Sequence, residues 1–449
     1  MSNYTKTMNE GSEFKHIILF TLPLLFGNLF QQFYNIVDSV IVGRCLGKNA
    51  LAAVGATGSI TFLFYTLCIG LSLGTGILIA QHFGAGNDDN VKRLIVNSAY
   101  VVVAFGVVMT VISVALAPDL LKLLETDDEI LDDAVGYMRI ACSGTLAVAA
   151  YNWINAVMRS LGNSVIPLVF LIVASVINIG LDLLFVIVFG MGVDGAALAT
   201  VIAQGISAAG CIIFAFAKFP QFRLKREHIR FDKKTALNCI SKGVPIALQN
   251  AFISVSMIYL QRTANTFGVT ITATYTATMR VEQLIHQPFL SLSTALSTFT
   301  GQNLGAGLLE RCIRGYRKSM LAMAGFAAFM LGVFMLFGGD IIGIFVSEPE
   351  VIATGDTALK MSSCFYLFLG TIYVTRGLLN GAGDVNYSMM NGIVEVIGRI
   401  GFATALSAVP EIGCWAVWAT SGLTWFITGL MSYIRYRCGR WKGHSIRDK

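Results

Sequence analysis

QHFGAG at residues 81–86 returns as QNLGAG at residues 302–307, an offset of 302 − 81 = 221 residues. The same offset relates Gly162 to Gly383. The chain therefore contains a duplicated unit that occupies most of its length. Duplicated membrane bundles are common among secondary transporters, because a substrate can bind at the interface between two moving halves.

The composition is that of an integral membrane protein. Hydrophobic residues make up 55% of the chain and charged residues 13%, whereas a soluble domain carries about 25% charged residues. Basic residues fall in short loops, which argues against nucleic-acid binding. The nine cysteines include no Cys-x-x-Cys pair, so we expect neither a disulfide framework nor a metal knuckle, and we expect no cofactor.

Apolar runs along the chain predict an all-α protein with twelve transmembrane helices. A crossing requires about 20 apolar residues. The predicted spans lie near residues 15–42, 50–80, 92–117, 134–158, 164–189, 195–219, 236–262, 271–300, 314–338, 355–378, 385–409 and 412–436.

The distribution of charge predicts the orientation of these spans. The longest polar stretch, residues 218–242, is rich in Lys and Arg, whereas the loop between spans 3 and 4 is acidic. Because basic loops stay cytoplasmic, we expect both termini and the 218–242 linker in the cytoplasm of a multi-pass cell-membrane protein. Six spans in each half make the repeat parallel, with lobes 1–217 and 243–449, and we expect a monomer.

Polar side chains within the predicted spans of the first half are candidates for function, because charges in the bilayer are costly. Asp38, Asp182 and Thr200 fall at comparable depths, roughly 7–12 Å from the outer ends of their spans at 1.5 Å per residue. Asn178 lies four residues before Asp182, on the same helix face. Their oxygens suit a hard cation such as sodium. Adjacent carboxylates alternatively hold a proton, and a purely structural hydrogen-bonded cluster is the third interpretation.

The second half does not repeat this acidic set, because Asp38 corresponds to Tyr259 and Asp182 to Ala403. Glu395 and Arg399, four residues apart, are interpreted as an internal ion pair. Other residues of this half are candidates for a substrate cavity, with packing as the alternative: Arg280, Glu282, His286, Met257 and Tyr366.

Pro23 lies early in the first span, fifteen residues before Asp38 on the same predicted helix. A proline removes a backbone hydrogen bond and allows a bend. We expect a bend at Pro23 that is coupled to the acidic residues. Pro245 occupies the corresponding place in the second half, with a slip of one residue, and a merely tolerated proline is an equally good interpretation there.

An ordered set of motifs resembles the multidrug and toxic compound extrusion (MATE) family over essentially the whole chain. The motifs are Pro23, DSVIVG at 38–43, AAVG at 52–55, QHFGAG at 81–86, MRSLG at 158–162 and NIGLD at 178–182. The resemblance implies cation-coupled drug export by a V-shaped, two-lobed bundle. In the DinF-like branch, it implies an ion or proton site at Asp38, Asn178, Asp182 and Thr200, with Tyr34 and Asn155 in the same network.

These observations favour a proton- or sodium-coupled antiporter that exports amphipathic organic cations and drugs. A flippase for lipid-linked precursors is the alternative of related fold, and Arg280 with Arg399 would supply the cationic cavity that it needs. A membrane-embedded enzyme is the alternative from another class. It is disfavoured because the sequence shows no nucleophile with a base and no histidine cluster, and we expect no enzymatic activity.

Overall fold

The computed structural model describes residues 5–123 and 126–444, and every regular element in these ranges is helical. Fifteen α-helices occur in this part of the chain. They are α1 Glu13–Leu46, α2 Lys48–Gly84, α3 Asp88–Leu123, α4 Asp128–Ser143, α5 Thr145–Ser160, α6 Val165–Asp182, α7 Gly192–Lys218, α8 Arg226–Ile229, α9 Lys233–Thr266, α10 Val269–Gly305, α11 Leu309–Gly343, α12 Pro349–Ser363, α13 Tyr366–Ala382, α14 Val385–Ser407 and α15 Ala416–Cys438.

Each of the twelve predicted spans corresponds to one long helix or to one bent pair of helices. Within the described ranges, eight helices are long and apolar enough to cross a membrane. The α4–α5 pair, bent by 41°, and the α12–α13 pair, bent by 51°, bring the number to ten. The remaining two predicted spans are α10 and α15, which are long helices with more polar sequences.

The glycines of the repeat end equivalent helices in the same way. Gly86 and Gly307, the last residues of the repeated hexapeptide, have φ angles of 72° and 80°. Gly162 and Gly383 have φ angles of 85° and 88°. Only glycine adopts this left-handed conformation without steric cost, which is why it follows helix ends so often. The two halves therefore share backbone geometry at these helix ends as well as a pattern of hydrophobic residues.

The described chain forms two compact units. The first comprises Leu22–Ala247 with the residues before Met8, and the second comprises Met8–Thr21 with Leu248–Lys449. In the first unit, α2 packs against α3 and α5, and α6 packs against α7. In the second unit, α10 packs against α13, and α14 packs against α15.

These units differ from the sequence halves at 1–217 and 243–449 by an exchange of short segments. Residues Met8–Thr21 belong to the second unit, where the backbone N–H of Met8 donates to Gln302 Oε1 at 2.9 Å. The predicted linker packs on the first unit, where the Asp232 N–H donates to Asn97 Oδ1 at 2.8 Å. The division therefore falls inside α1 and α9, within a few residues of Pro23 and Pro245.

Helices α2 and α9 approach each other very closely within the first unit. A Cβ added to Gly74 would overlap the backbone of Gly243, and one added to Gly70 would overlap the backbone of Ala247. Small residues let membrane helices pack backbone to backbone. Gly58 provides a matched comparison on the same α2 helix, because a Cβ added there would meet no other atom within 4 Å.

We expect Gly74→Ala to destabilise the protein, because its methyl group would push α9 away from α2. Overpacking of this kind costs about 1–3 kcal/mol. Gly58→Ala should be neutral or slightly stabilising, since alanine favours a helix interior more than glycine does. Thermal unfolding of the two purified variants in detergent measures the difference. Equal melting temperatures for Gly74→Ala, Gly58→Ala and the wild type would contradict the close packing.

Candidate functional site

Three helices of the first unit carry the predicted acidic cluster. Tyr34 and Asp38 lie four residues apart on α1, and Asn178 and Asp182 lie four residues apart on α6. This spacing places both members of each pair on one helix face. Thr200 on α7 completes the set, and the hydroxyl oxygens of Tyr34 and Thr200 are 3.5 Å apart.

The amide of Asn178 connects α6 to α7. With its nitrogen facing Asp182, it donates to Asp182 Oδ2 at 2.8 Å, and its oxygen accepts from the backbone N–H of Thr200 at 3.2 Å. This orientation satisfies both ends of the amide, which is the usual basis for assigning it. Asn178 is 2% exposed and Asp182 is fully buried. The structure thus brings together the four residues Asp38, Asn178, Asp182 and Thr200 that the sequence predicts.

The carboxyl groups of Asp38 and Asp182 are in side-chain hydrogen-bonding contact across the α1–α6 boundary. Each of them also has a buried oxygen, Oδ1, without a hydrogen-bond partner. A buried oxygen of this type is costly unless a proton, a cation or another donor satisfies it. The pair therefore has the geometry to share a proton or to hold a hard cation between its oxygens.

The backbone of α6 changes its hydrogen bonding immediately after Asp182. Leu183–Val188 form a π-helix, in which the Phe189 N–H donates to the Leu184 carbonyl at 2.9 Å. Single π-turns inside membrane helices are frequent at functional sites. Asp182 is thus the last residue of the regular α-helical part of this span.

A narrow cleft beside the cluster contains three polar residues that the sequence reasoning missed. Gln31, Ser175 and Gln204 line it together with Tyr34, Asn178 and Thr200. Each missed residue lies three or four positions from a predicted one on the same helix. Helical spacing alone would have found them.

Asn155 and Pro23 lie in the same unit as the carboxyl pair. Their contacts within the described residues are with other groups. Asn155 is buried on α5, where its side chain is hydrogen-bonded to Tyr151 and its Oδ1 lies 3.8 Å from Cys211 Sγ. Pro23 lies inside α1, which runs as one helix from Glu13 to Leu46.

The second unit carries a different polar cluster in the equivalent place. Glu395 Oε1 lies 2.8 Å from Arg376 Nη2, and Glu395 Oε2 lies 3.7 Å from Arg399 Nη2. Arg399 Nη1 donates to Ser256 Oγ at 2.5 Å. The predicted Glu395–Arg399 pair is therefore present, but the shorter contact is with Arg376. The sequence reasoning did not single out Arg376, because it lies on another helix.

The predicted substrate-cavity residues lie in different surroundings within the second unit. Glu282 Oε1 and His286 Nε2 are buried and have no hydrogen-bond partner, and the His286 ring packs against Tyr373 and Trp425. Arg280 is exposed, and Met257 is half-buried on α9. Tyr366 has no exposed surface, and its ring packs among aromatic side chains: Phe289, Phe334 and Trp425.

Comparison with known protein families identifies the repeat. A family model described as MatE matches the chain twice, over residues 23–184 and 245–404. The probable multidrug resistance protein YpnP of Bacillus subtilis (strain 168) is 28% identical over 97% of this chain and 98% of its own length. The probable multidrug resistance protein NorM of Thermotoga maritima is 23% identical over 96% of this chain and 94% of its own.

Solved structures share the fold. A structure described as the outward-facing conformation of a multidrug resistance MATE family transporter of the MOP superfamily superposes with a TM-score of 0.90, at 22% identity over 97% of both chains. A MATE crystal structure in the bent conformation also gives 0.90, at 22% identity over 97% of both chains. With two family matches that together cover most of its length, this chain belongs to the MatE family and is a multidrug-efflux transporter of the membrane, not an enzyme.

Proposed function

We propose that this protein is a cation-coupled antiporter that exports amphipathic organic cations and drugs by alternating access. The observation that carries the proposal is the contact between the Asp38 and Asp182 carboxyl groups, each with a buried oxygen that lacks a partner. Two ionised carboxylates are costly inside a membrane-spanning bundle unless a proton or a cation neutralises them. The pair is therefore suited to bind and release a proton or a cation.

The coupling ion in this proposal is H⁺ or Na⁺. A proton would be shared by Asp38 and Asp182, whose titrations would then belong to the pair and not to either residue. A sodium ion would use oxygens of Asp38, Asn178, Asp182 and Thr200, which are the hard donors that such a cation prefers. Tyr34 would support either ion through its hydroxyl contact with Thr200, and Asn155 would act from α5.

The proposed substrate class rests on charge and on the relatives. YpnP and NorM are described as probable multidrug resistance proteins. The Glu282 carboxyl, with a buried oxygen that lacks a partner, and the aromatic rings of Tyr373 and Trp425 around His286 offer contacts for an aromatic organic cation. Arg280, Met257 and Tyr366 are further candidates for this substrate cavity.

The proposal also includes the branch of the family and the topology. The acidic set occurs in the first unit, while Tyr259, Arg399 and Ala403 stand at the equivalent positions of the second, which favours the DinF-like branch. The basic segment 218–242 favours cytoplasmic termini in the cell membrane, and we propose a monomer surrounded by lipid.

We expect cells that express the protein to accumulate less ethidium than control cells, and we expect Asp182→Asn to abolish this difference. An amide keeps the size of the carboxyl but cannot release a proton or neutralise a cation. The measurement is ethidium fluorescence in cells with equal membrane levels of each variant. Unchanged dye accumulation with wild-type protein present in the membrane would contradict drug export.

The carboxyl pair should act as one unit in the same assay. Asp38→Asn should abolish efflux as fully as Asp182→Asn, and the double variant should be no worse than either single one. Asp119→Asn removes an exposed carboxylate of α3 in the same unit and should leave efflux unchanged. Near-normal efflux by either single cluster variant would refute the paired mechanism.

We further propose that ion binding at the carboxyl pair changes the bend of α1 at Pro23. Pro23 has no N–H, so the carbonyl four residues earlier has no intrahelical partner and the helix bends easily there. Solved MATE structures described as bent and straight share this fold with TM-scores of 0.90 and 0.89. An ion shifts such an equilibrium only through its different affinity for the two states.

We expect Pro23→Ala to weaken ion-driven flux more than it weakens substrate binding, because alanine restores the missing hydrogen bond and stiffens α1. Substrate affinity and gradient-driven flux are measured in the same reconstituted preparation. Pro245→Ala is the matched control, since α9 carries Tyr259 where α1 carries Asp38. Equal losses of binding and flux in Pro23→Ala would exclude the bend as the coupling element.

A further inference from the structure

A cavity of about 250 Å³ opens in the first unit, away from the carboxyl pair. It lies where α2 ends and where α3 and α9 begin, so it is at the ends of membrane-spanning helices. Its polar lining includes two cations, Arg93 and Lys234, beside His82 and Asn238, and Leu78 forms part of its apolar wall.

Both cations of this cavity are exposed to solvent. Within residues 5–123 and 126–444, neither Arg93 nor Lys234 forms an ion pair of 4.0 Å or less. Asp232 is close enough to act electrostatically on Arg93. Its carboxylate, however, already accepts from the N–H groups of Lys234 and Thr235 at 3.2 and 3.1 Å.

The equivalent place in the second unit has a built-in anion. The offset of 221 residues relates Arg93 to Arg314. Glu13 lies in the first turn of α1, and Lys234 lies in the first turn of α9. Glu13 lies 2.9 Å from Arg314 and 2.7 Å from Lys318, and it is 6% exposed. In the second unit these helix ends therefore hold a buried carboxylate that is ion-paired, whereas in the described part of the first unit the exposed Arg93 and Lys234 form no such ion pair.

The space is also filled in the second unit and open in the first. Leu78 corresponds to Phe299. The Phe299 ring occupies the space next to Gly315, where an added Cβ would overlap it. The centroid of this ring lies 5.9 Å from Cζ of Arg311. The first unit has the smaller Leu78 at the position of Phe299, so room remains beside its helix ends.

We propose that the cavity at Arg93 and Lys234 binds an anionic phosphate group, which supplies the negative charge that Glu13 supplies in the second unit. Arginine forks and lysine ammonium groups are the usual phosphate donors in proteins. Basic pockets at the ends of membrane helices take phospholipid headgroups. The phosphate group comes from an anionic phospholipid or from free phosphate, and this inference does not depend on the proposed transport mechanism.

The test is binding to the purified, delipidated full chain in detergent. Phosphatidylglycerol and inorganic phosphate are titrated separately, with phosphatidylcholine, whose zwitterionic headgroup has no net charge, as the comparison, and the melting temperature reports binding. Arg93→Gln and Lys234→Gln should each weaken binding roughly fivefold, the contribution typical of one basic residue at an anionic surface. Arg226→Gln, a loss of the same charge from exposed α8, should change nothing.

Lys234→Glu provides the sharper test, because it places a carboxylate in the first turn of α9, as Glu13 does in the first turn of α1. This variant should melt at or above the ligand-saturated wild type and should no longer respond to either ligand. A response to phosphatidylglycerol alone assigns a lipid site, and a response to phosphate as well assigns a site for free phosphate. The proposal is overturned if no phosphate ligand shifts the wild type, or if Arg93→Gln and Arg226→Gln respond equally.

Discussion

The contact between Asp38 on α1 and Asp182 on α6 is the constraint on which the functional account depends. Two carboxyl groups in one membrane-spanning unit repel each other when both are ionised, and their buried oxygens require a partner. Asn178 holds Asp182 in place and at the same time contacts Thr200 on α7. These contacts join three helices of the first unit, α1, α6 and α7.

The two units have the same fold but carry different charged side chains at equivalent places. Asn178 of the acidic cluster corresponds to Arg399, which lies 3.7 Å from Glu395 in the second unit. At the other end of the helices, Glu13 at the start of α1 belongs to a buried ion-pair cluster, whereas the start of α9 borders an open basic cavity. The backbone of the repeat is preserved by its turn glycines, while the charged side chains diverge and give each unit its own chemistry.

Much of this organisation was predictable from the sequence, for physical reasons. The apolar runs predict the helices, because a membrane crossing requires length and hydrophobicity and little else. The hexapeptide repeat predicts a duplicated unit, and the similar φ angles of Gly86 and Gly307, 72° and 80°, agree with it. The spacing of four residues between Asn178 and Asp182 predicts a shared face, and the structure places them there.

Other features depend on contacts between distant residues, which one sequence does not specify. The Arg376–Glu395 ion pair joins two helices, and spacing along one helix gives no signal for it. The grouping of Met8–Thr21 with the second unit follows from docking contacts such as those of Glu13, not from chain order. The π-turn after Asp182 has no signal in residue composition or spacing.

Drug flux in proteoliposomes, with proton and sodium gradients imposed independently, tests the central claim most directly. The account predicts that at least one of the two gradients drives uptake into or release from the vesicles against the drug gradient. It also predicts that this driven component disappears when either Asp38 or Asp182 is replaced by asparagine. Flux that is the same with and without both gradients, or that stays gradient-driven in those variants, would contradict a coupling site at the carboxyl pair.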